Sequence, residues 1–258
     1  MSFLDDVLVG VRQNLQDGYY DMPAEVVKFQ KSSLKAVLQQ SFSVIAEIKP
    51  VSPTAGTLYT GSAKSLAQTY RDAGARAISV LCEKTRFAGR LENLAEAKGA
   101  GLPVLAKDFV VSVKQLQAYA AHGADAVLLI YELFERKKTD LSLEAAIQSA
   151  HQNGLDVLLE VHTADALKKA LETDADVIGI NNRNLDDLSL NVLQFQNVLH
   201  DADLDATHAK KPIIAESGFQ SREDVDLARA AGLNGVLIGT GLLKAENPKA
   251  ALHELTRI

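Results

Sequence analysis

Glu47 and Lys49 stand two residues apart at the end of a short apolar run, where a carboxylate and an ammonium group are unexpected. The run is rich in β-branched residues, which predicts a buried strand over residues 43–49, and Pro50 and Gly56 mark the loop that follows. Side chains two residues apart share one face of a strand, so both charges point the same way. Such charges are costly in a core and useful in a reactive site. The alternative is a structural ion pair at the mouth of the fold.

Polar or glycine-rich segments end five other predicted strands in the same way. They are Lys107 and Asp108 after the third strand, Glu160 after the fifth, Asn181 and Arg183 after the sixth, Glu216 and Ser217 after the seventh, and Gly239 and Thr240 after the eighth. In a closed parallel barrel these ends meet at one rim, and catalytic groups come from that rim. The pattern therefore predicts an active site, with structural charge pairing as the alternative.

The elements that must position these residues alternate between strand and helix from residue 43 onward. Further strands are predicted over residues 76–82, 103–106, 125–130, 155–160, 176–180, 212–216 and 235–238. Helical periodicity fills the gaps, and Gly74, Gly123 and Gly232 stand where a helix gives way to a strand. About eight such units predict the α/β class, with a (β/α)8 TIM barrel over residues 43–258.

A helical extension is predicted ahead of the barrel, over residues 1–42, and we expect both parts to form a single domain over residues 1–258. Residues 3–16 place apolar side chains on one helical face, with Ser2 as the candidate N-cap. Residues 25–40 contain a second amphipathic stretch. The extension either covers one end of the core or helps to close a substrate site.

Composition narrows the classes to which the chain can belong. Its 258 residues carry a formal net charge of −6, which argues against general nucleic-acid binding. Cys82 is the only cysteine, which rules out an internal disulfide and favours a reducing, cytoplasmic location. No apolar run approaches the roughly 20 residues that span a membrane, and no signal peptide is recognisable. Cys82 and the six histidines show no metal-ligand spacing, so no metal is predicted.

The last two strand ends suit a phosphate group. Barrels of this kind often bind phosphate through the loops after strands seven and eight, with a short extra helix presenting free N–H groups. Ser217 and Gly218 follow the seventh strand, Gly239 and Thr240 follow the eighth, and residues 241–244 are the candidate extra helix. Ordinary tight turns are the alternative. The positive charges of Arg183 and Lys49 suit a second anion, such as a carboxylate.

Lys107 and Glu160 have the residue types of an acid–base pair. A lysine near another cation or in a dry pocket has a lowered pKa, so we expect Lys107 to donate a proton near neutrality and Glu160 to accept one. Phe87 and Phe109 lie in loops beside the rim and either hold an aromatic ring of the substrate or pack the loops.

At this level of detail the chain resembles the indole-3-glycerol phosphate synthase family, over nearly its whole length. The stretches that carry the resemblance are Ile45-Ala-Glu-Ile-Lys with Ser52-Pro53, Ile78-Ser-Val-Leu with Phe87-Ala-Gly89, Lys107-Asp-Phe, Gly123-Ala-Asp-Ala-Val-Leu-Leu-Ile, Leu159-Glu-Val-His, Gly179-Ile-Asn-Asn-Arg-Asn-Leu, Ala215-Glu-Ser-Gly and Leu237-Ile-Gly-Thr. Another phosphate-binding barrel is not expected to share all of them. The resemblance therefore specifies one family rather than the fold alone.

The resemblance implies a reaction of tryptophan biosynthesis. The substrate would be the phosphosugar 1-(2-carboxyphenylamino)-1-deoxyribulose 5-phosphate, whose ring carbon attacks the sugar ketone. Carbon dioxide leaves and water is then eliminated, which forms indole-3-glycerol phosphate without a cofactor or metal. The enzyme would be a carboxy-lyase, either a monomer or a weak homo-oligomer, and a second enzyme of the pathway is a possible partner.

By the family pattern, Lys107 resembles the general acid that protonates the ketone oxygen, and Glu160 resembles the carboxylate of the dehydration. Lys49 is similar to the lysine that holds the substrate carboxylate and can also donate a proton, so the lysine that serves each step stays open. The other implied assignments are Glu47 and Asn181 as orienting groups, Glu216 and Ser217 as the pair of the seventh strand, Ser52, Phe87, Phe109 and Arg183 as substrate contacts, and Ser217, Gly218, Gly239 and Thr240 as the phosphate grip.

The chain departs from the family pattern in the loop after the first strand. Pro50-Val51 and Thr54-Ala55 stand where basic character is usual, and Cys82 and Arg86 replace a Thr and an aromatic residue. Two alternative functions were weighed. A phosphoribosylanthranilate isomerase would need an Asp with a Cys, but the first strand ends in Glu and Lys. A binding-only barrel or a scaffold subunit would be favoured by loss of the acid or the base, yet Lys107 and Glu160 are both present.

Overall fold

The computed structural model of the protein describes residues 2–23 and 27–257, and its centre is a closed barrel of eight parallel strands. The barrel strands are β1 (Ser43–Ile48), β4 (Ala77–Leu81), β5 (Val104–Lys107), β6 (Ala126–Ile130), β7 (Asp156–Val161), β8 (Val177–Asn181), β9 (Ile213–Glu216) and β10 (Gly235–Ile238). Strand β1 pairs with both β4 and β10, which closes the ring. The predicted (β/α)8 barrel is confirmed, and every strand boundary lies within one residue of the one expected.

The barrel has two layers of apolar packing. On β1, Ile45 points inward among the interior side chains of the other strands, whereas Val44, Ala46 and Ile48 pack outward beneath the helices. Since Glu47 lies two residues after Ile45, it points into the barrel mouth, as the alternation of side chains along a strand predicts. A closed barrel has no exposed sheet edge, so the strand ends form a continuous rim.

Helices surround the barrel between the strands. They are α3 (Ala63–Asp72), α4 (Lys84–Phe87), α5 (Glu92–Lys98), α6 (Val113–Ala121), α7 (Tyr131–Glu135), α8 (Leu143–Gln152), α9 (Ala164–Leu171), α10 (Gln194–Asp201), α11 (Arg222–Ala230), α12 (Thr240–Leu243) and α13 (Pro248–Thr256), with one 3-10 turn at Ala206–His208. Gly74, Gly123 and Gly232 have φ angles of 99°, 91° and 78°, which confirms them as left-handed ends of helices. The short helices α4 and α7 were not predicted.

The extension contributes one helix to each end of the barrel. Helix α1 (Phe3–Gln16) is capped by Ser2, as predicted, and packs near the carboxyl ends of the strands, against α4. Helix α2 (Leu34–Gln40) lies under the amino ends, where Leu34 and Leu38 join the apolar interior of the barrel. The second amphipathic stretch thus forms a helix only from residue 34, and its residues 25 and 26 lie outside the described part of the chain.

A small hairpin follows β1, formed by β2 (Val51–Ser52) and β3 (Gly56–Thr57). It contains the segment in which the sequence departs from its family pattern.

Across the described residues, no helix has the length and apolar character that a membrane crossing requires.

Candidate active site

The carboxyl ends of the strands enclose a pocket of about 160 Å³. Thirteen of the predicted site residues line it, namely Glu47, Lys49, Ser52, Phe87, Lys107, Phe109, Glu160, Asn181, Arg183, Ser217, Gly218, Gly239 and Thr240. The remaining one, Glu216, is fully buried beneath the pocket and contacts Lys107. The structure therefore brings all the predicted residues to one place, whose chemistry depends on how they contact each other.

Lys107 is held from two sides by carboxylates at the floor of the pocket. Its Nζ lies 2.8 Å from Oε2 of Glu216 and 3.5 Å from Oε2 of Glu47. Strands β5 and β9 are four places apart in the ring of eight, so the contact with Glu216 crosses the barrel mouth. The other oxygen of Glu47, Oε1, lies 2.5 Å from Nζ of Lys49. Glu47 thus bridges the two lysines.

The charge on Lys107 is stabilised, contrary to the expected lowered pKa. Burial works against the ammonium group, but Glu216, Glu47 and Glu160 outweigh burial and hold the pKa of Lys107 above its usual value. The same contacts act on Glu47, where burial is outweighed by Lys49 and Lys107 and the pKa of the carboxyl is lowered. Lys107 therefore carries a proton at neutral pH, and it can serve as an acid only where the reaction generates a strong base beside it.

Glu160 is the carboxyl group with the opposite shift. Burial, followed by the charge of Glu216, raises the pKa of Glu160 to about 8, although Lys107 and a hydrogen bond with Asn181 oppose the shift. The raised pKa keeps Glu160 mostly protonated near neutrality in the free protein, so the group must give up its own proton before it can act as the predicted acceptor. Two carboxyl groups that share one buried region favour a single proton between them.

Aromatic rings form one wall of the pocket. Phe87 and Phe109 lie with ring centroids 6.3 Å apart, and Phe3 of α1 meets the edge of Phe87 at 6.4 Å. Glu83 fixes α4, and with it Phe87, because its carboxylate accepts hydrogen bonds from three N–H groups of that helix. Buried Asp108 accepts a hydrogen bond from the N–H of Phe109, at 2.7 Å. These contacts hold the rings as an apolar wall, against which an aromatic ring can pack.

Arg183 and Ser52 contribute polar groups to the pocket lining, from the segments that follow β8 and β1. The guanidinium of Arg183 donates to the carbonyl of Leu188, at 2.7 Å, and its backbone N–H donates to Oδ1 of Asn181, at 2.9 Å. Burial lowers the pKa of Arg183 from its ordinary value, though a guanidinium stays charged throughout the neutral range. Ser52 is buried and its hydroxyl lies 3.2 Å from that of Thr54.

The predicted phosphate grip is a rim of backbone. Ser217 and Gly218 both have positive φ, at 72° and 93°, which turns the backbone after β9 sharply into the pocket. Gly239 precedes α12, so the extra helix predicted at residues 241–244 is found at Thr240–Leu243. The first N–H groups of a helix lack acceptors inside that helix. The two turns can therefore offer several N–H groups and hydroxyls to one anion.

The pocket also has lining residues that sequence reasoning did not assign to the site, among them Phe3 and three leucines of one loop. Phe3 lines the pocket from the extension, and Leu185, Leu188 and Leu190 line it from the loop after β8. The signal available for the loop was its three leucines, which a wholly solvated loop would not need. Nothing in the helical periodicity of residues 3–16 distinguished Phe3. Among the described residues, no group of three His, Cys, Asp or Glu side chains could hold a metal ion.

The sequence of the chain is similar to those of known enzymes along most of its length. A family model described as indole-3-glycerol phosphate synthase matches residues 8–255. The chain belongs to this family. The indole-3-glycerol phosphate synthase of Koribacter versatilis is 41% identical, covering 84% of this chain and 81% of that protein. The enzyme of the same name from Kineococcus radiotolerans is 37% identical, covering 99% of this chain and 95% of that protein. The predicted family is therefore confirmed.

Solved structures of other barrels share the fold with this synthase-family chain at low identity. A thiamine phosphate pyrophosphorylase from Pyrococcus furiosus superimposes with a TM-score of 0.61 at 16% identity, over 85% of this chain and 95% of that one. A 3-hexulose-6-phosphate synthase gives 0.63 at 16% identity, over 83% and 98%. At this identity the likeness supports the barrel fold, and the family assignment rests on the sequence relatives.

Proposed function

We propose that this pocket closes the indole ring with Lys107 as the general acid and Glu160 as the carboxyl group of the dehydration. The chain is a carboxy-lyase of tryptophan biosynthesis, an indole-3-glycerol phosphate synthase by family, and acts on a phosphosugar-like substrate. The observation that carries the assignment of roles is the position of Lys107, an ammonium group held between Glu47 and Glu216 beside Glu160.

The first step needs a proton donor at the sugar ketone. When the ring carbon of 1-(2-carboxyphenylamino)-1-deoxyribulose 5-phosphate attacks the ketone carbon, negative charge develops on the ketone oxygen. An alkoxide is basic enough to take a proton even from a lysine whose pKa is raised. The carboxylates of Glu216 and Glu47, which contribute most to the raised pKa of Lys107, also keep it protonated beforehand. Loss of carbon dioxide then restores the ring system, and the carboxylate of the substrate leaves as that gas.

The dehydration needs a proton on the departing hydroxyl group and the loss of one from the ring. Glu160 suits this step because its raised pKa keeps a proton on the carboxyl group at neutral pH. Glu160 gives that proton to the hydroxyl, which leaves as water, and the resulting carboxylate accepts the ring proton. Asn181 and Glu47 orient these groups, Asn181 beside Glu160 and Glu47 between the two lysines.

The two ends of the substrate require different anchors. We assign the phosphate to the turns of Ser217, Gly218, Gly239 and Thr240, which can surround an anion with N–H groups. Lys49 and Arg183 suit the carboxylate of the aminobenzoate ring, with Ser52 beside them. Phe87 and Phe109 then take the ring itself. No cofactor or metal has a role in this scheme, nucleic acid and membrane have none as partners, and we infer a cytoplasmic monomer or weak homo-oligomer, with a second pathway enzyme as a possible partner.

The direct test mixes the purified, chelator-treated protein with 1-(2-carboxyphenylamino)-1-deoxyribulose 5-phosphate and follows indole fluorescence. We expect a rising signal from the parent protein and from a Lys114→Ala control, whose lysine pairs with Asp21 at the surface. Binding of the substrate without turnover would overturn the proposal in favour of a binding-only barrel. Absence of binding would show that the substrate assignment is wrong.

A further inference from the structure

Gly179 occupies an interior position of the barrel where every neighbouring strand contributes a larger side chain. It lies on β8 two residues after Val177, whose side chain is in the barrel interior, while Ile178 and Ile180 point outward. In register, Gly179 stands beside Glu160 of β7 and Ile214 of β9. A glycine inside a strand weakens the strand, which makes close approach of another group the usual reason for it.

The group that approaches is the carboxylate of Glu216. A Cβ atom placed on Gly179 would lie 2.2 Å from Oε1 of Glu216 and 3.2 Å from Cδ1 of Leu158. Glu216 is fully buried, and Oε1 has no hydrogen-bond partner among the described residues. Its other oxygen, Oε2, accepts the hydrogen bond from Lys107 at 2.8 Å. The space above Gly179 therefore holds one half of the carboxylate and leaves the other half for the lysine.

We propose that Gly179 is a positioning residue, whose missing side chain seats Glu216 between Lys107 and Glu160 and so sets the protonation of both. The proposal rests on the roles assigned above to Lys107 and Glu160. It adds that the acid and the dehydrating carboxyl group are adjusted together, by one glycine that does not line the pocket.

The physical consequence of a methyl group at this position falls on the site rather than on the fold. The backbone of β8 is fixed by pairing with β7 and β9, so it cannot move aside. The far end of the Glu216 side chain is the part that can rotate away. Rotation breaks the contact with Lys107 and takes a negative charge from Glu160. Glu160 is also faced by Lys107 of β5, Asn181 of β8 and Glu132 of α7, so its remaining neighbours then favour the ionised form more than before.

The first experiment compares Gly179→Ala with the parent in steady-state kinetics. We expect kcat to fall about 100-fold, the size of a small misplacement of a catalytic group, with KM changed less than about threefold. The limb of the pH profile that reports Glu160 should move to lower pH, which a merely structural role would not produce. Gly99→Ala is the matched control, since Gly99 ends α5 with ordinary helical angles and its added Cβ meets only the carbonyl of Glu96, at 3.2 Å. Unchanged kinetics in Gly179→Ala would overturn the proposal.

The second experiment removes the carboxylate that the methyl group would displace. In a Glu216→Ala background, Gly179→Ala should change kcat and the urea midpoint of unfolding by little, because the contact no longer exists. If Gly179→Ala fails to fold alone but folds together with Glu216→Ala, the result supports the proposal that Gly179 makes room for Glu216. If the substitution is equally damaging in both backgrounds, Gly179 serves the strand itself and the proposal is wrong.

The double-mutant cycle of urea unfolding midpoints also separates this proposal from the proposed function. It measures the contact between positions 179 and 216 without any turnover. A parent protein that does not convert the substrate would disprove the catalytic roles. Non-additive effects of the two substitutions on the urea midpoint would still support the positioning of Glu216 by Gly179. If the parent is active and the two substitutions are additive in both kinetics and unfolding, only the positioning role of Gly179 is disproved.

Discussion

The two rims of the barrel both carry acids and lysines, yet they treat them differently. At the amino rim, Asp125, Asp156 and Asp176 stand at the starts of β6, β7 and β8, with Lys98 and Lys35 as ion-pair partners for Asp125 and Asp176. At the carboxyl rim, Glu47, Glu160 and Glu216 stand with Lys49 and Lys107 around the pocket. Composition alone does not distinguish the rims, and the hydrogen bonds do.

The amino-rim carboxylates are bound by fixed backbone groups. Asp125 accepts from the N–H of Ser32 at 2.8 Å and of Val104 at 2.9 Å, besides Lys98 at 2.5 Å. Asp156 and Asp176 likewise accept from backbone N–H groups, those of Lys35 and Val157. Such bonds satisfy the buried charges and tie the extension to the strands.

The three glutamates at the carboxyl rim, unlike the neighbouring Asp108, accept no backbone N–H bond among the described residues, and one oxygen of Glu216 has no partner. Glu47 and Glu216 pair with lysine side chains, and Glu160 pairs with the side chain of Asn181. The comparison indicates that charged groups stabilise the fold where every buried carboxylate oxygen has a hydrogen-bond donor. Where a buried oxygen has none, the carboxylate is available for chemistry. Each of the following predictions tests one side of this contrast.

The largest effect is expected for Lys107→Ala at the carboxyl rim. Removal of a general acid should lower kcat by about 1,000-fold or more, while binding of a product-like phosphate changes little. Glu216 and Glu47 can take up a proton once the ammonium group is gone, since two buried carboxyl groups favour a shared proton, so the urea midpoint should fall less than for a buried pair whose remaining partner stays charged. Kinetics and urea unfolding of the same sample check both statements. Near-intact turnover would show that another group is the acid.

The opposite pattern is expected for Asp125→Ala at the amino rim. Loss of one partner from a buried ion pair, with two backbone N–H groups left unpaired, should cost about 3 kcal/mol in the free energy of unfolding. The kcat of the folded fraction should stay within about twofold, since Asp125 is remote from the pocket. Asp125→Asn, which keeps one acceptor, should lie in between. A large fall in kcat at full folding would contradict the division between the rims.

The pH dependence of stability should also differ in sign between Glu160 at the carboxyl rim and Asp176 at the amino rim. The pKa of Glu160 is raised to about 8, so the folded state holds a proton that the unfolded chain loses, and this term weakens stability as pH rises from about 4.5 to 8. Asp176 has a lowered pKa, since hydrogen bonds from Val157, His151 and Lys35 outweigh burial, so its term is lost as pH falls below about 4. In Glu160→Gln the urea midpoint should fall less than in the parent as pH rises from about 4.5 to 8. An unchanged slope would argue against the raised pKa.

The smallest effect is expected at the aromatic wall. Phe87→Ala should raise KM about tenfold through lost contact with the substrate ring, with kcat changed less. Phe195→Ala, which removes a buried ring that packs on Phe219, is the control and should reduce stability without a specific effect on KM. Equal KM values for the parent and Phe87→Ala would support loop packing as the role of Phe87.

The barrel could be predicted from sequence because its cues are local. Period-two apolar strands and glycines at the ends of helices are visible within a few residues, as at His122-Gly123-Ala124. The site residues could be named for a related reason, since each stands at a strand end. Their protonation could not be predicted: the pKa of Lys107 depends on acids from β1, β7 and β9, which only ring closure brings together. Gly179 was passed over because the carboxylate that fills its space is 37 residues away in the chain.

The bonds of the extension to the amino rim have a consequence for biosynthesis of the protein. Ser32 binds a residue 93 positions later, and Lys35 binds one 141 positions later. A nascent chain cannot form these bonds until the ribosome has released residues 125 and 176 from its tunnel, so the earliest synthesised helices wait for the second half of the barrel. During that interval the apolar face of α2, with Leu34 and Leu38, is a surface for chaperones to recognise.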